Sequence, residues 1–257
     1  MIDTGSGPRS VGMDSSSLPS PFNRRRRAAS FGAFFLLASA WLLAGPGVPE
    51  KPLRPLFPKN GLPEGWVVRA WDNVANAAQG NPTWRVEDGV LIAGEPRGSW
   101  LLSEKEYGDF ILEFDFLLGE RGNSGCALRA PLSGDPAFDG FELQMADLRY
   151  NPQAKDSELT GGLYRAVAPK QQVYKPAEWN HYRIVCKGSN ITVDLNGTRI
   201  LEVDLDKETA TVKRHDGTEA PPLKDRPRKG HIGFQELSRE GGRTRIRNAR
   251  IVELAGG

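Results

Sequence analysis

The chain has 257 residues, 39% hydrophobic and 26% charged, an ordinary globular balance that suffices for one domain with a full core. Its net charge is +2 and the basic residues are dispersed apart from Arg24–Arg27, which argues against a nucleic-acid partner. Three histidines, two cysteines and no CxxC or HxH spacing argue against a zinc site.

The first element is the arginine run, followed directly by the apolar stretch Ala28–Ala44 and then Gly45-Pro46-Gly47. Charge, then an apolar core, then small residues is the order of a secretory signal, and the apolar part is short for a membrane span. Twenty-three residues precede the arginines, long for a leader, so two readings stand: translation begins at Met13, or the segment is retained as an anchor. Arg26-Arg27-Ala-Ala-Ser-Phe matches a twin-arginine signal weakly, and no cysteine follows the apolar run to carry a lipid. Residues 1–44 are therefore expected to be a signal peptide or N-terminal anchor, with residues 31–44 as the membrane tether if it is retained. The protein is expected to be extracytoplasmic, periplasmic or secreted. Residues 45–56, with Pro46, Pro49, Pro52 and Pro55, read as a linker.

From residue 57 to 254 strands and turns dominate. Trp84–Val86 and Val90–Ile92 flank a turn at Glu87-Asp88-Gly89. Phe110–Phe116 has the cleanest period-two alternation. Asn123–Arg129 and Gly140–Asp147 follow as strands with Cys126, Leu128, Phe141, Leu143 and Met145 in the apolar phase. His181–Cys186, Ile191–Leu195 and Thr198–Val203 come next, the last two joined by Asn196-Gly197, residues that tolerate the positive φ of a tight hairpin turn. Residues 205–229 are charged and Pro-containing and read as a long loop, a kind of segment that is often functional or mobile. Ile232–Phe234 and Ile246–Leu254 close the domain. Many short strands with turns between them and no helical period indicate an all-β antiparallel sandwich. The two cysteines fall in apolar strand phases, as small buried hydrophobes or, in an exported protein, a disulfide.

The opposite strand phase carries Arg129, Glu142, Gln144, His231 and Gln235. If these strands share one sheet, a guanidinium, a carboxylate, amides and an imidazole converge on one face, a set suited to hydroxyl-rich ligands. The plain alternative is a solvated sheet face, the default for antiparallel sheets. Asp147 ends its strand as a pocket carboxylate, a calcium ligand or a turn residue. Tyr164 follows Thr160-Gly161-Gly162 on a loop that can wall a sugar or pack at a rim. Asn123 suits a ligand hydrogen bond and equally a tight turn. Trp66, Trp84, Trp100 and Trp179 are sugar-stacking candidates, though most are expected in the core. Glu113-Phe-Asp115-Phe opens like the acid triplet of retaining glucanases, but Leu117 and Leu118 fill the third position, so both acids read as solvent-facing.

Several pieces stand in order along the chain: Gly65-Trp66, Trp84-Arg-Val-Glu-Asp88-Gly-Val-Leu, Tyr107-Gly-Asp109-Phe110, Asn123-Ser124-Gly125 with Arg129, Gly140-Phe-Glu142-Leu-Gln144, Thr160-Gly161-Gly-Leu-Tyr164, Trp179-Asn180, Leu195-Asn196-Gly197, Pro222-Leu-Lys-Asp-Arg226-Pro-Arg-Lys-Gly230-His-Ile-Gly-Phe-Gln235, and Arg247-Asn248. The ordered set resembles the 3-keto-disaccharide hydrolase domain family across residues 57–254. The resemblance implies a concanavalin A-like jelly-roll sandwich, export, and glycoside substrates. One position departs: Leu237 stands where family members often carry a histidine, with Glu236 or His231 as substitutes. The expected function is an exported hydrolase of 3-keto-glycosides. A C3 ketone acidifies the C2 proton, a base removes it, the C1 substituent leaves by elimination, and water adds back. Glu142 is the expected base and Arg129, or a divalent metal such as calcium held by Asp147, the enolate stabiliser. Asn123, Gln144, Tyr164, Gln235 and His231 are expected to hold the carbohydrate. The alternative is a carbohydrate-binding module without chemistry, favoured by Leu237.

Overall fold

In the computed structural model, which describes residues 52–239 and 242–255, period-two alternation builds two antiparallel sheets packed face to face. The larger sheet holds β1 (Arg54–Pro55), β3 (Arg85–Glu87), β4 (Val90–Ile92), β6 (Phe110–Leu117), β9 (Asn180–Lys187), β10 (Asn190–Leu195), β11 (Thr198–Asp204) and β15 (Arg245–Glu253). Its order is β11-β10-β9-β6-β15-β4-β3, with β1 beside β15. The smaller sheet runs β2 (Trp66–Ala70), β5 (Ser99–Tyr107), β14 (Gly230–Glu236), β7 (Asn123–Ala130) and β8 (Phe141–Ala146), in that spatial order. A separate two-stranded hairpin pairs β12 (Val212–Lys213) with β13 (Glu219–Ala220), and one helix, α1 (Pro136–Asp139), joins β7 to β8.

The core lies between the sheets. Phe110, Leu112, Phe114 and Phe116 of β6 and Tyr182, Ile184 and Cys186 of β9 meet Cys126, Leu128, Phe141, Leu143, Met145 and Phe234 from the smaller sheet. Phe114 and Phe234 touch edge to face across the two layers at 5.1 Å. Each such side chain contributes roughly 1.5–3 kcal/mol on full burial. Cys126 and Cys186 sit in this core as free thiols, in opposite sheets. Glu113 and Asp115 face outward and pair with Arg183, Arg250, His181 and Arg247.

The Asn196-Gly197 turn forms as its residue types require, with φ of 52° and 80°. Three sequence expectations need adjustment. The segment read as a linker ends earlier, because Arg54 and Pro55 pair with Ile251 and Arg250, and Leu56 is buried and bonded to Ala249. The stretch 205–229 is not a bare loop, since it contains β12, β13 and two short 3-10 turns. The smaller sheet is also covered on its outer face: Val74 and Trp71 lie over Trp100, Leu102, Ala127 and Ala130. That cover stops short of β8, and the uncovered part holds the cavity described next. Residues 1–44, where a signal or anchor is expected, lie outside the described residues.

Candidate active site

A cavity of about 290 Å³ opens over β7, β8 and the end of β14, near the lower size bound of small-molecule sites. Alternation delivers Asn123 from β7, Glu142 and Gln144 from β8, and Gln235 from β14 to its floor. The loop after β8 runs alongside that strand, with the Tyr164 N–H donating to Glu142 O at 2.9 Å, and so brings Tyr164 to the wall.

Glu142 is the centre of this arrangement. It is 3% exposed, and among the described residues no group donates a hydrogen bond to its carboxylate and no cation pairs with it. Its side chain lies across the sheet over Gly125, where an added Cβ would stand 2.0 Å from Oε1. Gly125 is thus required to give the carboxylate its path. Burial, and then the negative charge of Asp135, push the Glu142 carboxyl well above the usual carboxylate range. Asn123 is 7% exposed, and its Oδ1 is buried without a hydrogen-bond partner among the described residues. An acceptor left in that state is costly unless a ligand donor meets it. Gln144 accepts the Met145 N–H on Oε1 at 3.0 Å, which leaves its amino group for the cavity.

Asp147 also lines the cavity, but its carboxylate is engaged. Arg149 donates to it at 2.8 and 3.2 Å and the Tyr174 hydroxyl at 3.3 Å. Burial alone would raise this carboxyl, yet the Arg149 hydrogen bonds outweigh burial and hold it below the ordinary range. The expectation that Asp147 holds calcium is not met: its oxygens are taken by a guanidinium, and no group of three acidic, histidine or cysteine residues is placed to share an ion among the described residues.

Two expected site residues lie elsewhere. Arg129 is fully buried and points to the far edge of the sandwich. It donates to Gly108 O and Gly188 O, both at 2.8 Å, and to Asp109 Oδ1 at 3.1 Å. The reason is a β-bulge. Ala127 pairs with Gly233 and Ala130 with His231, so β7 has one more residue than β14 there, and Arg129 takes φ of 51°. The extra residue breaks the alternation that would have aimed Arg129 at the cavity. His231 keeps the site-facing phase but sits four residues along β14 from Gln235, roughly 13 Å away. Its Nδ1 contacts Ser103 O at 2.6 Å and its Nε2 lies 3.8 Å from Glu106. Of the four candidate tryptophans most pack in or against the core, as expected. Trp84 and Trp100 are core, Trp179 lies under Arg247, and Trp66 packs on Phe57; the tryptophan at the cavity is Trp71.

Four lining groups carried no local signal of function. Trp71 comes from the segment after β2, Asp135 from the turn before α1, Arg165 from the loop after β8, and His215 from the β12–β13 hairpin. Asp135-Pro136 was legible as a helix start, an N-cap followed by proline. Only the fold shows that the same Asp faces Glu142. Burial raises the Asp135 carboxyl to about 7, against the Ala137 N–H that favours its charge and with help from Asp139. His215 packs against Phe138 at 5.2 Å, Trp71 at 5.6 Å and Tyr164 at 5.9 Å. Burial and the nearby Arg165 hold its imidazole below the usual range, so it is neutral at pH 7. Leu237 lines the cavity as well, so an imidazole stands in this cavity although position 237 does not supply it.

Fold and site together define an acidic small-molecule cavity on the outer face of an antiparallel β-sandwich. The sequence matches the model of the 3-keto-alpha-glucoside-1,2-lyase-like domain over residues 53–252, and the chain belongs to that family. A solved structure from Parabacteroides distasonis ATCC 8503, provisionally named a glycosyl hydrolase, is 30% identical with a TM-score of 0.64, covering 79% of this chain and 100% of that one. A second structure so named from the same organism is 24% identical with a TM-score of 0.57, covering 76% and 91% of the two chains. A third is 22% identical with a TM-score of 0.55, covering 79% and 84%. These last two share the fold. No curated protein matches the sequence.

Proposed function

We propose that this protein is an exported hydrolase of 3-keto-glycosides that works by proton abstraction at C2, elimination at C1 and rehydration. Family membership supports the carbohydrate class. The observation that carries the mechanism is the Glu142 carboxylate: buried, without a hydrogen-bond or cation partner among the described residues, and set in a cavity whose Asn123 Oδ1 lacks a partner among the same residues. A buried carboxylate with raised proton affinity is suited to take a proton from carbon. The C3 ketone makes the C2 proton acidic enough to leave, so the route avoids an oxocarbenium ion and the carboxylate spacing that ordinary glycosidases need.

The enolate formed at C3 requires a hydrogen-bond donor or positive charge nearby. Arg129 cannot serve, being bonded at the far edge. The Tyr164 hydroxyl, kept protonated because burial and Glu142 push its phenol up, and the Arg165 guanidinium over the Tyr164 ring at 5.3 Å take that role. Asn123, Gln144 and Gln235 hold sugar hydroxyls, and Trp71 walls the ring.

A second reading, a carbohydrate-binding module, is favoured by Leu237 where the family often has histidine. Turnover separates the two. The wild-type protein is expected to release the aglycone and a 3-keto sugar from 3-keto glucosides in heavy water, with deuterium entering C2. Glu142→Gln should lower cleavage by about 10²–10⁴ and leave sugar binding intact. Full activity of that variant, or no deuterium at C2 during turnover, overturns the mechanism; saturable binding without product establishes the module.

A further inference from the structure

Taking a proton from C2 is half of the reaction. An alkoxide leaving C1 needs a proton of its own, and Glu142 has just acquired one from carbon. Four acids line the cavity: Asp135, Glu142, Asp147 and Glu158. Two are committed elsewhere. Asp147 is held by Arg149, and Glu158 accepts from Arg165 at 2.9 Å and from the Lys155 N–H at 3.1 Å. Asp135 and Glu142 have no cation partner among the described residues.

Asp135 is positioned rather than free. It is 7% exposed, its Oδ1 accepts the Ala137 N–H at 3.0 Å as the N-cap of α1, and its own N–H donates to Asp139 Oδ2 at 2.9 Å. Asp139 is clamped in turn by Arg214 at 2.9 and 2.5 Å. The second oxygen of Asp135 has no partner among the described residues and is left to the cavity it lines. The other titratable candidate, His215, has its ring enclosed by Trp71, Phe138 and Tyr164.

Building on the proposed reaction, we infer that Asp135 is its second catalytic residue: it protonates the leaving glycosidic oxygen, and its carboxylate then activates the water that adds to C1. The proton count closes. The pair holds one proton, which the charge of Asp135 favours on Glu142; the reactive form is the one with that proton on Asp135 and Glu142 ionised. The C2–H bond breaks, the proton goes to Glu142 and the electron pair to the C3 oxygen. The carbonyl re-forms, C1=C2 forms, the C1–O bond breaks, and the departing oxygen takes the Asp135 proton. Once the alcohol has left, the Glu142 proton exchanges with solvent; water then attacks C1 while giving a proton to Asp135, and Glu142 delivers a solvent-derived proton to C2. One water is consumed and both carboxyls end as they began.

The test is the dependence of cleavage on the leaving group. Asn caps a helix as well as Asp does, so Asp135→Asn is expected to fold, and Asp135→Ser provides a second capped variant; melting curves check both. Elimination is followed in single turnover on a 3-keto methyl glucoside and a 3-keto 4-nitrophenyl glucoside. Methanol needs a proton to leave and 4-nitrophenol does not. Asp135→Asn should slow the methyl glucoside by about 10²–10³ and the nitrophenyl glucoside by less than tenfold, with deuterium still entering C2. Glu142→Gln should slow both equally and stop exchange. Equal loss on both substrates with Asp135→Asn, or no loss on the methyl glucoside, overturns the inference while leaving the C2 chemistry standing. Absence of C2 exchange in the wild type overturns the underlying reaction instead.

Discussion

At Asp135 and Glu142 the protein buries two carboxyls that no cation pairs with among the described residues, and this has a measurable cost. The Asp135 carboxyl is raised from 3.8 to about 7, first by burial, and that of Glu142 is raised in the same direction. A raised carboxyl binds its proton more tightly in the folded state than in the unfolded one. Its contribution to stability is therefore complete below about 4 and is lost as pH rises through about 7. The carboxyls held low by partners, Asp115, Asp139, Asp147 and Glu158, act the other way and lose their contribution only as pH falls below about 4. Wild-type stability should thus decline between pH 5 and 7.5 by on the order of a few kcal/mol, because a tenfold difference in proton affinity between folded and unfolded chain is worth about 1.4 kcal/mol. The double variant Asp135→Asn, Glu142→Gln should show a flat profile there and a higher melting temperature at pH 7.5. A wild-type profile that rises over this range in parallel with the variant would contradict the burial argument. Stability surrendered at a site is what function commonly requires.

At the scale of elements, the β7 bulge decides what Arg129 does. The extra residue turns its guanidinium away from the cavity and onto the β5–β6 and β9–β10 turns, which it ties together through Gly108, Asp109 and Gly188. Arg129→Ala leaves two carbonyls and the Asp109 carboxylate without this partner, and should destabilise the protein by about 3–5 kcal/mol. Measured below its melting temperature, the variant should retain wild-type kcat on a 3-keto glucoside; a large kcat loss in the folded protein would return Arg129 to the chemistry. Legibility varied among the strands for a physical reason. β6, β9 and β10 alternate because one face is core and the other meets solvent, and their bounds were readable. β5 is buried on both faces through Ser99–Ser103, since Trp100 and Leu102 pack outward under Val74, so it shows no alternation to read. The bulge was equally silent, because nothing in Leu128-Arg129-Ala130 marks a positive φ.

At the scale of the whole molecule, the cavity is assembled from parts distant in sequence. The sheet supplies the floor, while the segment after β2, the turn before α1, the loop after β8 and the β12–β13 hairpin supply the walls. Residues 1–44 carry the remaining expectation, export. Protein recovered from the cell envelope should have its N-terminus near Gly45, or carry residues 31–44 intact in the membrane fraction. An intact N-terminus on soluble cytoplasmic protein would refute both forms.

Sequence alone determined the β-sandwich, most of its strand phases, and the site-facing set Asn123, Glu142, Gln144 and Gln235. Side-chain direction in a strand has a fixed period, so a residue's phase follows from its neighbours. The ordered motifs carried the family. Only the tertiary structure decided that Asp135, Trp71, Arg165 and His215 join that set, that Asp147 is closed by Arg149, and that Arg129 and His231 stand apart. Loops have no period, and a single bulge reverses a phase without changing a residue type. Which carboxylates are left unpaired in a shared cavity is therefore a property of the closed sandwich and its loops, not of any local run of residues.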